Sequence, residues 1–304
     1  MVYGNSRLFL PFMRLLLASF IAIILLQSCK GIDEPIPAYL HIDSLDIAVK
    51  AGQGNNIHQI KAIEAYSDGE LLGIFELPAT IPLHRVGKSK ISIVAAVNLN
   101  ASKNKIAVHS SFIPTDTVLN FEAGKITKIA SVPLNYRNNT NFKWLEDFED
   151  NSSTVINISI PPDDTAFIET VPFDLNGKFK GNTKVYSAII HKSDTTKYID
   201  LGSFNQFENI PSDGRDIFLE FDVKCDADVQ LALKRTNGSG AEYVPYLAVY
   251  ATGENWKRIY VNLVYEIGGQ AADTKYQILF SSSFGAASVD RKIQIDNIRL
   301  TYNN

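Results

Sequence analysis

Cysteine, tryptophan and methionine occur only twice each in this 304-residue chain, and histidine five times. Two cysteines cannot make the multi-bridge framework of a small disulfide-stapled domain. The histidines, His41, His58, His84, His109 and His191, are scattered and have no metal-ligand spacing. Basic residues are not in excess: 29 Lys and Arg face 33 Asp and Glu, for a net charge of −4. That balance argues against nucleic acid, and against an anionic membrane surface, as the main partner. Beyond the first thirty residues no segment has helical periodicity. Period-two alternation and turn dipeptides recur instead, the pattern of antiparallel sheets.

Signals for catalysis are also missing. Gly87-Lys88-Ser89 looks like the tail of a phosphate loop, but Pro82 stands where the first glycine belongs. Gly238-Ser239-Gly240 lacks the strand-turn-helix setting of a nucleophile elbow. The acid pairs Glu146/Asp147, Glu149/Asp150 and Asp163/Asp164 are adjacent in sequence, which does not set the separation of about 5–10 Å that glycoside hydrolysis requires. The chain is therefore expected not to be an enzyme, with a hydrolase left as the open alternative.

One uncharged apolar run is present, Leu15 to Leu26. It is shorter than the roughly 20 residues of a spanning helix. Arg7 and Arg14 precede it with no acid, and Gln27-Ser28-Cys29 closes it, the three-part order of a secretory signal. Met13-Arg14 would begin a more compact signal of the same type. Leu26-Gln27-Ser28-Cys29 resembles the lipobox of bacterial lipoproteins, with Gln27 in place of the usual small residue. The resemblance implies diacylglyceryl and acyl (palmitate-type) chains on Cys29, together enough for stable membrane anchoring. Acylation there would leave Cys225 unpaired, a buried structural thiol. Removing residues 1–28 takes the net charge to −6, with 27 basic against 33 acidic residues.

The next residues, Lys30-Gly31-Ile32-Asp33-Glu34, resemble the surface-export tether of Bacteroidetes lipoproteins; a plain solvated linker is the alternative. Asp43-Ser44-Leu45, Asp116-Thr117-Val118, Asp164-Thr165-Ala166 and Asp194-Thr195-Thr196 resemble the O-glycosylation tripeptide of that phylum. Residue usage alone would give about one such match. The implied location is the outer membrane, lipid-anchored and surface-exposed.

Residues 29–37 then read as a tether, 38–136 as a first domain, 137–142 (polar Arg137 to Asn141) as a linker, and 143–304 as a second domain. Both are all-β. About seven short strands in the first suggest an immunoglobulin-like sandwich, with strands expected at Ile57 to Tyr66, Leu71 to Leu77, Ile81 to Val86 and Ser89 to Val97, among others. Within it, Asp68-Gly69-Glu70-Leu71-Leu72-Gly73, Pro78, Pro82 and Val86-Gly87 are similar to the PEGA repeat, which implies a spacer or interaction role.

The second domain opens with Trp144 to Asp150, has a Trp256-led strand, and closes with Ile293 to Leu300. This order resembles the galactose-binding-like jelly roll of carbohydrate-binding modules. Apolar parity supports a sandwich independently: Ile217/Leu219/Phe221/Val223, Val229/Leu231/Leu233, Ile259/Val261/Leu263 and Tyr276/Ile278/Phe280 each define one core-facing side. Glu220, Asp222, Gln230, Lys234, Arg258, Tyr260, Asn262 and Gln277 hold the opposite parity, a face that is either solvated or a binding surface. In the closing strand the parity changes phase at Asp296-Asn297, which points to a bulge. The resemblance implies a structural calcium ion on Glu149 or Asp150 and Asp296, oxygen ligands of the right hardness. It also implies that sugar rings stack on exposed aromatics, with Trp256 and Tyr260 foremost and Tyr243, Tyr246 and Trp144 next.

The functional expectation is a non-catalytic, lipid-anchored envelope protein whose jelly roll binds glycan or another surface ligand. The alternative is an assembly accessory to a surface secretion, gliding or uptake complex, recognised by an envelope protein partner.

Overall fold

The structure, a computed structural model, describes residues 36–102, 104–159, 166–175, 177–192, 198–283 and 289–304. The expectations for Cys29, Lys30 to Glu34, Asp163/Asp164 and the tripeptides at Asp164 and Asp194 fall outside these residues, wholly or in part. The architecture is all-β. The first sandwich contains β1 (Ala38–Ala48), β2 (Ala62–Ser67), β3 (Glu70–Glu76), β4 (Ala79–Leu83) and β5 (Gly87–Asn98). It is completed by β6 (Ile106–Val108), β7 (Phe112–Ile113), β8 (Thr115–Phe121) and β9 (Ile126–Tyr136). One sheet runs β4-β1-β9-β7; the other runs β3-β2-β5-β6, with β8 also on β5. Pairing is antiparallel except between β1 and β9, whose parallel register joins the first and last strands of the sandwich. The alternation in β5 buries Ile91, Ile93, Ala95 and Val97 against Leu40, Ile42, Ile81 and Leu134.

The second sandwich begins with β10 (Thr140–Glu146), β11 (Val155–Asn157), β12 (Ala166–Leu175), β13 (Phe179–Ile190) and β14 (Tyr198–Ser203). It continues through β15 (Ile217–Cys225), β16 (Val229–Asn237), β17 (Gly240–Val249) and β18 (Lys257–Asn262). A single helical turn, α1 (Val264–Ile267), precedes β19 (Lys275–Ser283) and β20 (Arg291–Asn303). A six-stranded sheet, β12-β13-β20-β15-β18 with β10 on β20, packs against a five-stranded sheet ordered β11-β14-β19-β16-β17. The apolar parities expected from sequence all point into this core, joined by Ile293, Ile295, Ile298 and Leu300. Cys225 is buried there as a free thiol.

The phase change in β20 is a bulge. Glu220 pairs with Arg299 and Asp222 with Asp296, so the register slips between them, and Asn297 takes φ +50°. The extra residue lets Ile295 and Ile298 both face the core while Asp296, Asn297 and Arg299 share the outer side.

That outer side is neither solvated nor free. β15 is buried on both faces, because the first sandwich covers it. Phe218 and Tyr260 belong to the apolar cluster of the first sandwich although the second supplies them. The expected strand from Ile57 shortens to β2 for the same reason. The backbone before Ala62 is bonded to side chains of the second sandwich: Asn55 O accepts from Arg299 Nη2 at 2.8 Å, Ile57 O accepts from Arg258 Nη1, and Gln59 N donates to Tyr260 Oη at 2.9 Å. Groups so committed are not available to a sheet ladder.

Candidate ligand-binding faces of the second sandwich

Most of the aromatics singled out in the sequence are interior. Trp256 is 5 % exposed, packs on Phe173 with ring centroids 5.2 Å apart, and donates Nε1–H to Pro172 O at 3.3 Å. Tyr260 is 3 % exposed in the seam between the sandwiches, where burial drives its phenol pKa far upward. Neither offers a ring face to a sugar in this arrangement. Trp144 packs on Phe207 in the core, with Nε1–H on Thr154 Oγ1 at 2.8 Å. Tyr246 is half-buried and donates to Asn262 O at 2.7 Å. Tyr243 differs: it is 60 % exposed.

Its surroundings follow from sheet register on the outer side of the five-stranded sheet. Tyr243 lies opposite Lys234, and Lys234 opposite Gln277, a row crossing β17, β16 and β19. The next row runs Pro245, Ala232, Leu279, Gly202 and Ile156; the third contains Ala248, Gln230, Ser281 and Asp200. The middle row is apolar, buried at Ala232, Leu279 and Gly202 and exposed at its Pro245 edge. Gly202 is tightly hemmed: a Cβ there would stand 3.1 Å from Leu279 Cδ2 and 3.2 Å from Ile158 Cδ1. Lys234 Nζ lies 5.7 Å from the Tyr243 ring centroid, a cation-π contact that holds the ring on this face. Gln277 and Gln230 are oriented by bonds from their amide nitrogens to Ser203 O at 2.7 Å and Leu247 O at 2.8 Å. The exposed Tyr243 ring can stack a pyranose, with Lys234 beside it to hydrogen-bond a hydroxyl.

The six-stranded sheet presents a buried ionic layer to the first sandwich. Glu220 Oε1 lies 3.1 Å from His109 Nε2 and its Oε2 3.4 Å from Arg299 Nη1, which also donates to Tyr136 Oη at 2.6 Å. His109 stacks on Phe218 with centroids 3.8 Å apart. Arg258 Nε is 3.4 Å from Asp222 Oδ1, and its Nη2 donates to Asn297 O at 3.0 Å. Burial alone would raise the Glu220 pKa; the charge of Arg299, the His109 hydrogen bond and Arg258 outweigh it and hold the carboxyl at about 2. Asp296 goes the other way. Burial, aided by the nearby Asp222 charge, pushes it up to about 8.

The residues expected to hold calcium are brought together only in part. Thr183 Oγ1 stands 2.7 Å from Glu149 Oε1 and 3.1 Å from Asp296 Oδ2, so these two carboxyls share one hydroxyl. Asp150 turns away to accept from Ser152 N and Oγ at 2.8 and 2.7 Å. The Lys184 ammonium already donates to Glu149 O at 2.7 Å. No three His, Cys, Asp or Glu side chains among the described residues form a metal-holding group. This donor set does not fit the calcium site that the resemblance implied. The other paired acids serve turns: Glu146 accepts from Phe148 N and Thr154 N, and Asp147 from Glu149 N.

No family model matches the chain, and no curated protein matches it. Solved structures do. An exo-β-agarase aligns at 17 % identity and TM-score 0.39, over 54 % of this chain and 25 % of its own. The family 22 xylan-binding domain from Paenibacillus barcinonensis aligns at 11 % identity and TM-score 0.37, over 53 % of this chain and 99 % of its own. The family 11 carbohydrate-binding module from Clostridium thermocellum, solved with a β-1,3-1,4-linked tetrasaccharide, aligns at 18 % identity and TM-score 0.33, over 51 % and 93 %.

Proposed function

We propose that this protein is a glycan-binding lipoprotein of the bacterial envelope, acting by capture and not by catalysis. The observation that carries the reading is the edge of the five-stranded sheet, where Tyr243 is exposed beside Lys234. Cys29 would be the lipid anchor and residues 30–37 the tether, with the two sandwiches displayed beyond them at the cell surface. The six-stranded sheet is occupied by the first sandwich, so the five-stranded sheet is the broad face left to a ligand.

The test is affinity electrophoresis and a glycan array with the full chain in detergent. Retardation by at least one neutral polysaccharide is expected, and Tyr243→Ala should abolish it while leaving the melting temperature in place. Retention unaffected by Tyr243→Ala would remove this face from the reading. For the anchor, Cys29→Ser should move the protein from the detergent phase to the aqueous phase on Triton X-114 partition; unchanged partitioning would refute lipidation at that residue.

A further inference from the structure

At the edge of the seam between the sandwiches lies an open cleft of about 730 Å³, within the size range of small-ligand sites. Both sandwiches line it. Gln59, Lys61 and Asn98 come from the first, and Lys224, Asn255, Trp256 and Lys257 from the second, with Pro172 and Phe173 completing an apolar wall. The acids at its margin are already neutralised: Glu254 by Lys224 at 2.8 Å and Asp174 by Lys180 at 3.7 Å. Lys61 and Lys257 are exposed, one from each sandwich, and neither has an ion pair among the described residues. Beneath them the Arg258 side chain, also part of the lining, is buried with its Nε 3.4 Å from Asp222 Oδ1, so the unpaired positive charge of the cleft is that of Lys61 and Lys257. A chain with net negative charge therefore keeps a locally cationic cleft, and such a cleft concentrates field on an anion.

We infer that this cleft is a second binding site, for a carboxylate-bearing oligosaccharide, and that both sandwiches are needed to form it. Lys61 and Lys257 pair with uronate carboxylates, the amides of Gln59, Asn98 and Asn255 take hydroxyls, and exposed Pro172 receives the apolar edge of a ring. The site is independent of the Tyr243 face, so either can fail without the other.

The test is isothermal titration of the full chain in detergent with tetragalacturonate, with tetramannuronate, and with methyl-esterified tetragalacturonate, which has the same sugars without the charge. At least one of the acidic tetrasaccharides should bind, and the ester about tenfold or more weaker than its parent acid. Lys61→Gln and Lys257→Gln should each weaken binding of the acidic ligand about tenfold, while Tyr243→Ala should leave it unchanged. No binding of either acid, equal affinity for acid and ester, or wild-type affinity in the double Lys→Gln variant would overturn the assignment. Loss of neutral-glycan retention in Tyr243→Ala reports on the Tyr243 face alone.

Discussion

Glu220→Gln is the sharpest probe of how the two sandwiches are held together. The substitution keeps the shape and removes one negative charge from a layer in which Arg299 and Arg258 have only Asp222 as the other close carboxylate pairing with Arg258. Native Glu220 is held at about 2 against an ordinary 4.5. At about 1.4 kcal/mol per unit this is on the order of 3 kcal/mol of stabilisation at neutral pH, the size expected for breaking a buried pair. The sign is that of a depressed acid: the contribution is complete above the unfolded value and disappears as pH falls toward the folded one. Urea unfolding of wild type and variant should therefore differ by about 3 kcal/mol at pH 7 and converge between pH 4.5 and about 2. A gap under about 0.5 kcal/mol at pH 7, or a gap independent of pH, would refute the argument. In the first case the pair is no better than a surface contact; in the second the cost comes from packing.

Three further outcomes follow from the same geometry. Asp296→Asn should stabilise the protein, because an acid raised to about 8 weakens the fold as pH climbs from its unfolded value; the gain should grow between pH 4 and 8 and reach about 2 kcal/mol or more at the top, and a pH-independent gain in urea melts would count against it. Trp256→Ala should cost about 3–5 kcal/mol by emptying the pocket beside Phe173; an unchanged melting temperature with reduced glycan retention would instead make Trp256 a ligand contact. Calcium in place of a chelator should shift the melting temperature by less than about 1 °C, since Lys184 occupies the Glu149 carbonyl; a rise of several degrees would restore a cation to Glu149 and Asp296.

Sheet parity was readable in the chain because the inner faces of β15, β16, β18 and β19 are consistently apolar, and the break at Asp296-Asn297 exposed the bulge for the same reason. The other face could not be read. Glu220, Asp222 and Arg258 alternate with apolar residues just as solvated side chains do. Two of their partners, His109 for Glu220 and Ile57 for Arg258, lie 111 and 201 residues away in sequence, and nothing in a local window connects them. Trp256 and Tyr260 drew attention as aromatics on that parity; the seam buries Tyr260, and Phe173 of the β12–β13 hairpin buries Trp256. Tyr243 was the harder residue to rank, because its exposure depends on β17 lying at the sheet edge, a matter of topology and not of pattern.

The ionic layer also bears on whether the second sandwich is a portable part. Cut at the polar linker, it would present Phe218, Tyr260 and the Glu220-Asp222-Arg258-Arg299 layer to water, and the first sandwich would lose the two aromatic rings that complete its apolar cluster. Chimaeras that shuffle one half without the other would thus trade a satisfied seam for a sticky, charged surface. Only a short turn separates β9 from β10, and the unit of expression and engineering is the pair.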